Sequence, residues 1–265
     1  MLKRSRLLLL FLIVLQTSAF AAETYQRNPH VSDEIWEKVS PYFLPLTHAI
    51  KPILDSIFNG TRVIASKQTL AEAGFIFTEV QGTQAYVMQH PLIKGYVIKL
   101  YPDDKPTRVD WVSWTNRIIG ANLLKQAFKI HKCDKIFKVA NKWIYPLPAE
   151  PSPTTIIEQG GRKNFILIVE NVKPLSRREN WAKWRRLKKE NILTSLYKVT
   201  RRVGAGDCVR ANNLPWCEDG KIGFVDTEIY YRWPINYHPL MEVLNKKMQP
   251  RWKKITQDGS IPRSS

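Results

Sequence analysis

The side chains best suited to chemistry in this sequence lie between positions 204 and 228. Asp207 is followed five positions later by Asn212, and a polar turn, Glu218-Asp219-Gly220-Lys221, leads into an apolar run at 222–225 that ends at Asp226. Carboxylate and amide oxygens are hard ligands that suit a divalent cation, and a carboxylate within reach of a hydroxyl can accept its proton. An Asp-Gly turn between two apolar runs predicts a hairpin. Such a hairpin returns Asp226 to the loop that carries Asp207 and Asn212, in an arrangement fit to hold metal and phosphate. Lys99 lies within Val-Ile-Lys-Leu-Tyr, with apolar neighbours on either side. A lysine in such a strand either faces solvent from a sheet edge or offers its charge to an anion.

The elements that must position these groups follow from periodicity. Residues 34–58 read as two short helices broken at Pro45 and Pro52. From Gly74 the period becomes that of strands: 75–80, 85–89 and 96–101 are apolar-rich runs with short links, which predicts an antiparallel meander with Gly82 in its first turn. Residues 109–130 carry recurrent apolar positions without proline and predict a helix. Residues 135–139 and 142–145 read as a second hairpin around Ala140-Asn141, and 165–169 as a fully apolar strand ending at Glu170. The polar exit 170–174 reads as a hinge.

Composition bounds the class. The formal charge is +18, so anionic ligands or surfaces are the favoured partners. Lys3, Arg4 and Arg6, the apolar run 7–15 and Ala19-Phe20-Ala21 have the form of a secretory signal peptide with cleavage near position 22, which predicts a secreted or periplasmic protein. Three cysteines are too few for a disulfide scaffold, and neither a C-x-x-C pair nor a histidine cluster suggests zinc. From Lys173 to Arg202 eleven Lys or Arg stand against two Glu, interleaved with Trp181, Trp184, Leu187, Leu193, Leu196 and Val199. As a helix this segment buries an apolar stripe under a solvated basic face; the same composition could grip nucleic acid or an anionic membrane. A short helical pattern at 240–244 precedes a basic tail with Lys246, Lys247, Arg251, Lys253 and Lys254. The domain division expected is a signal peptide at 1–22, a helical extension at 23–73, a β-rich unit at 74–172, a unit bearing the 204–228 loop at 173–258, and a disordered tail at 259–265.

In this order of elements, with D-x-x-x-x-N at 207–212 and a strand feeding an aspartate nineteen positions after Asp207, the region 75–228 resembles the protein-kinase-like superfamily, nearest its atypical, aminoglycoside-phosphotransferase-like branches. The resemblance implies an α+β, two-lobed fold with an antiparallel N-terminal sheet and a reduced helical C-terminal lobe. It implies ATP and Mg as cofactors and an unknown protein or small-molecule substrate. Lys99 would hold the nucleotide phosphates, Gly82 would cover them, and Glu170 and Val172 would lie beside the adenine. Asp207 would be the catalytic aspartate, with Asn212 and Asp226 the metal ligands. The sequence departs from the family at Ala205, two before Asp207, at Val209, two after it, and in the 109–130 helix, where Asn116, Arg117 and Ile118 stand and no glutamate awaits Lys99. The implied function is an exported kinase-like protein, either a pseudokinase scaffold or a weak ATP- and Mg-dependent phosphotransferase. The alternative is a basic module that binds nucleic acid or anionic membrane.

Overall fold

The computed structural model describes residues 24–78, 85–105, 109–152, 162–206 and 208–257. The expected signal peptide, Gly82, Asp207 and the expected C-terminal tail lie outside the described residues. The chain is α+β. Strands β1 (Ile76–Phe77), β2 (Tyr86–Gln89), β3 (Tyr96–Leu100), β5 (Lys142–Pro146) and β6 (Phe165–Glu170) form an antiparallel sheet in the order β1-β2-β3-β6-β5. The meander read from the sequence is therefore present, and β3 is the central strand of the five-stranded sheet rather than an edge.

The two faces of this sheet are buried against different partners. Because side chains alternate along a strand, Ile98 and Leu100 of β3 and Ile166 and Ile168 of β6 join one core with Leu44, Leu54, Phe58 and Leu70. These last belong to the N-terminal segment, whose helices are α1 (Asp33–Val39), α2 (Lys51–Phe58) and α3 (Lys67–Glu72). Pro52 does not break this segment: it sits in the first turn of α2, where its missing N–H is not needed. The opposite face, with Phe165, Leu167 and Val169, packs on Trp114 and Ile118 of helix α4 (Asp110–Ile130). The outer edge of β5 is covered by backbone, since the Leu44 N–H donates to the Ile144 carbonyl at 2.9 Å.

Residues 135–145 correct a sequence expectation. They form no hairpin: β4 (Phe137–Val139) leaves the large sheet and pairs in parallel with β7 (Ile222–Phe224), while β5 pairs with β6. The reason is aromatic packing, because Phe137 and Phe224 meet Phe128 of α4 at ring-centroid distances of 5.8 and 5.4 Å in a core that β5 does not enter. The basic stretch after Pro174 is likewise two helices, α5 (Arg177–Arg185) and α6 (Glu190–Val203), not one. Trp184, Leu193, Leu196 and Val199 are fully buried there and the charged side chains line the outside. The segment read as a basic tail is helical for most of its length. After the single turn α7 (His238–Met241) comes α8 (Met248–Gln257), held by buried Met248 and Trp252, whose indole N–H donates to the Tyr237 carbonyl at 3.0 Å. Residues 246–254 carry apolar anchors four apart, a helical signal masked by their charge.

Helix α4 contributes to two of the hydrophobic cores. Its 21 residues span roughly 31 Å at 1.5 Å per residue. Its first half covers the sheet, and Leu124, Ala127 and Phe128 in its second half enter the core of α5, α6, β7 and α8. Asp110 pins its start by accepting from the Asn164 and Phe165 N–H groups at 2.9 Å each. Burial raises the Asp110 carboxyl to about 6 against the opposing pull of those backbone donors. Among the described residues no helix is long and apolar enough to cross a membrane.

Candidate functional site

The 204–228 loop is built outward from α5 and α6. Gly204 ends α6 in the left-handed conformation, at φ 65°, where any side chain would also strike the backbone of Arg232. Asn180 and Trp184, one turn apart on α5, hold the loop's middle: Asn180 Nδ2 donates to the Ala211 carbonyl at 2.9 Å and Trp184 Nε1 to the Leu214 carbonyl at 3.0 Å. The Asp219-Gly220 turn then reverses the chain, with Gly220 at φ 78° and the Cys217 N–H donating to the Lys221 carbonyl at 2.8 Å. The Val225 N–H reaches the Asn213 carbonyl at 3.2 Å, so the return path expected from the sequence is present and Asp226 emerges next to the 212–213 segment.

From there Asp226, Thr227 and Glu228 dock on α4. Ser113, Arg117 and Gly120 share one face of that helix, at spacings of four and three. Ser113 Oγ donates to Glu228 Oε1 at 2.7 Å; Arg117 Nη1 donates to Asp226 Oδ1 at 2.5 Å and Nη2 to Glu228 Oε2 at 2.6 Å. Thr227 Oγ1 donates to the Arg117 carbonyl and accepts from Lys142 Nζ, both at 2.5 Å. Gly120 makes the approach possible, because a Cβ there would collide with the Thr227 carbonyl.

Lys99 enters from the sheet. In β3 it alternates with Ile98 and Leu100, so it points to the α4 side; Lys142 of β5 has the same facing, beside Ile144. Lys99, Arg117 and Lys142 thus surround Asp226 and Glu228, three cations against two carboxylates among the described residues. Lys99, Lys142 and Asp226 bear the mark of their neighbours. Burial, then the Arg117 charge, brings the Lys99 ammonium down to about 8, against the opposing pull of Asp226 and Glu228. Lys142 lies well below the ordinary lysine range because it is buried, and because Lys99 and Arg117 are near. Burial alone would raise the Asp226 carboxyl, but Arg117, Lys99 and Lys142 together hold it below the usual carboxylate range. The Lys99 ammonium donates to no hydrogen-bond partner among the described residues, and the buried Nε of Arg117 is likewise unpartnered.

The structure therefore brings Lys99 and Asp226 together, as the resemblance implied, and closes them with an arginine. Asn212 is exposed on the loop surface. Glu170 serves the sheet rather than a ligand, accepting from the Asn141 backbone N–H at 3.1 Å and side-chain Nδ2 at 2.9 Å. Val172 is half-buried against Gly223 and the α4-side core. Gly82 and Asp207 lie outside the described residues. Arg117 was noted from the sequence only as the absence of a glutamate; its own role, and those of Lys142, Glu228 and Gly120, had fainter signals. A glycine inside a 21-residue helix marks a close backbone approach, and a lysine opening an otherwise apolar strand marks a buried cation.

No protein-family model and no curated protein sequence matches this chain. What the site can do is accordingly argued from its own charges. A hard divalent cation needs a surplus of oxygen charge, and here one oxygen of Asp226 and one of Glu228 already receive Arg117. With two further ammonium groups alongside, the described donor set does not fit Mg. It does fit an anion, for which Lys99 offers an ammonium that has no hydrogen-bond partner among the described residues, and Arg117 and Lys142 add a positive field. Among the described residues no group of three His, Cys, Asp or Glu could hold a metal.

Proposed function

We propose that the protein is a kinase-like module that has exchanged metal-dependent catalysis for binding of a phosphorylated ligand, a pseudokinase whose ligand of choice is a nucleotide. The observation that carries this reading is the Arg117 guanidinium bridging Asp226 and Glu228, where a phosphotransferase presents an acidic helix residue to its lysine and a free aspartate to its metal. In this reading the five-stranded sheet with α4 is one lobe, the helices around α6 form the other, and residues 171–176 connect them. The order of elements supports that division, since the chain passes from β6 through this linker into α5, α6 and the 204–228 loop. Lys99 receives the ligand's phosphates, and Arg117 and Lys142 reinforce it electrostatically. Export directed by residues 1–22 belongs to the same proposal.

Thermal unfolding with ATP in EDTA and in excess Mg tests it. A ligand at a hundred times its dissociation constant stabilises by about 2.7 kcal/mol. The expected result is a rise in Tm in EDTA that Mg does not enlarge. A rise seen only with Mg, or phosphate transfer that disappears with Asp207→Ala, would contradict the reading.

A further inference from the structure

Beyond the Asp226 cluster, the segment that follows it presents an unusual surface. Tyr231 and Trp233 are 60% and 52% exposed, and their rings lie 6.1 Å apart with an interplanar angle of 25°. Aromatic residues normally bury most of their area, and these two are held in the open by the fold. The Tyr231 N–H donates to the Val203 carbonyl at 2.8 Å, the Arg232 N–H to the Gly204 carbonyl at 3.0 Å, and Trp233 Nε1 to the Arg201 carbonyl at 2.8 Å. Tyr231 takes a left-handed backbone, φ 51°, to stand there.

The anchor for this pair is the last turn of α6, which is strongly basic. Lys198 and Arg202 are exposed and one helical turn apart, a repulsive spacing for like charges. Among the described residues no ion pair joins a carboxylate to Lys198, Arg202 or the exposed Arg232. Both Lys198 and Arg202 depress the neighbouring His131, after the larger effect of its burial, and His131 Nε2 is buried without a partner. Two near-parallel exposed rings, anchored on the last turn of the helix that carries Lys198 and Arg202, match the two parts of a polynucleotide: flat bases that stack and phosphates that need charge.

We infer that Tyr231 and Trp233, with Lys198, Arg202 and Arg232, form a binding surface for single-stranded nucleic acid. An anionic bilayer shares the charge requirement, but it favours apolar side chains free to insert. Here both aromatic residues are tied by hydrogen bonds to α6 and the turn after it, and Arg232 stands between them in sequence. The surface shares no residue with the Lys99 cluster, and the inference does not depend on nucleotide binding there.

Fluorescence anisotropy of the full-length protein with labelled ten-residue oligo-U and oligo-dT decides it. Tyr231→Gly removes a ring while suiting the left-handed backbone, and is expected to weaken binding about tenfold or more. The double change Lys198→Glu and Arg202→Glu is expected to weaken it further and to lower the steepness of the log Kd against log salt plot by about 1.4, at roughly 0.7 per phosphate contact on a single strand. The inference is overturned if neither oligonucleotide binds, or if both variants bind like the unaltered protein. It is equally overturned if phosphatidylglycerol vesicles, and not oligonucleotides, capture the protein in a Tyr231-dependent way.

Discussion

Replacing Arg117 removes the central bond of the site. Its guanidinium makes charge-assisted hydrogen bonds of 2.5 and 2.6 Å to two carboxylates whose side chains are only 27% and 23% exposed. Arg117→Gln leaves both acids facing a neutral amide that can satisfy one of them at most. Breaking a buried ion pair from one side costs about 3–5 kcal/mol; the residual exposure of the acids and the continued presence of Lys99 and Lys142 reduce this to about 2–4 kcal/mol. For a chain of this size, where 1 kcal/mol shifts Tm by about 2–4 °C, the expected fall is about 5–15 °C. Arg117→Glu sharpens the question. If the site were a conventional kinase pair awaiting its acid, glutamate would meet Lys99 and restore stability. With Asp226 and Glu228 already bound to this position, a third carboxylate must instead cost more than glutamine. Urea unfolding at pH 7 of the two variants beside the unaltered protein is the assay. A loss below about 1 kcal/mol for Arg117→Gln, or an Arg117→Glu protein as stable as the original, would refute the reasoning.

Three further outcomes follow from the same cluster. The Lys99 ammonium sits at about 8 when folded against an ordinary value of 10.5, so the unfolded chain binds more protons between those values and stability must rise with pH across that window; Lys99→Met should flatten the rise and be more stable than the parent at pH 7, as urea midpoints at stepped pH would show. Asp226 has the opposite sign: its folded value lies below the ordinary 3.8, so its contribution is present above that pH and is lost as pH falls through the lower folded value. The stability gap between the parent and Asp226→Asn should therefore be widest near neutrality and narrow in acid, and a gap independent of pH would contradict the assignment. Gly120→Ala places a methyl group against the Thr227 carbonyl and should cost about 1–3 kcal/mol by overpacking, measurable as a shift of the urea midpoint; no shift would mean that α4 and residues 226–228 are not in contact.

Much of the scaffold was legible because its signals are local. Strand alternation at 86–100, the proline-free apolar period of α4 and the Asp219-Gly220 turn each specify their own geometry, and the structure contains all three. Lys99 and Asp226 are paired only through the resemblance to the kinase-like order of elements; locally, each just ends or interrupts an apolar strand. What could not be read depends on contacts distant in sequence. Whether 137–139 pairs with 142–146 or with 222–224 is decided by Phe128 and Phe224, and no local pattern encodes that choice. Arg117 shows the limit most clearly. In the sequence it is one of several basic residues on a helix; only when residues 226–228 fold onto α4 does it become the partner of two acids 109 and 111 positions away. The charge of 246–254 misled in the other direction, because Lys and Arg on an exposed helical face obscured the Met248 and Trp252 anchors beneath.

The central claim is that this cluster binds a phosphorylated ligand through Lys99 without a divalent metal. Calorimetric titration of ATP into the protein in EDTA and again in excess Mg, repeated on Lys99→Met, tests it most directly. The account predicts similar affinity in both buffers for the unaltered protein and at least a tenfold loss for Lys99→Met in each. Binding that requires Mg, or that is indifferent to Lys99, would contradict it.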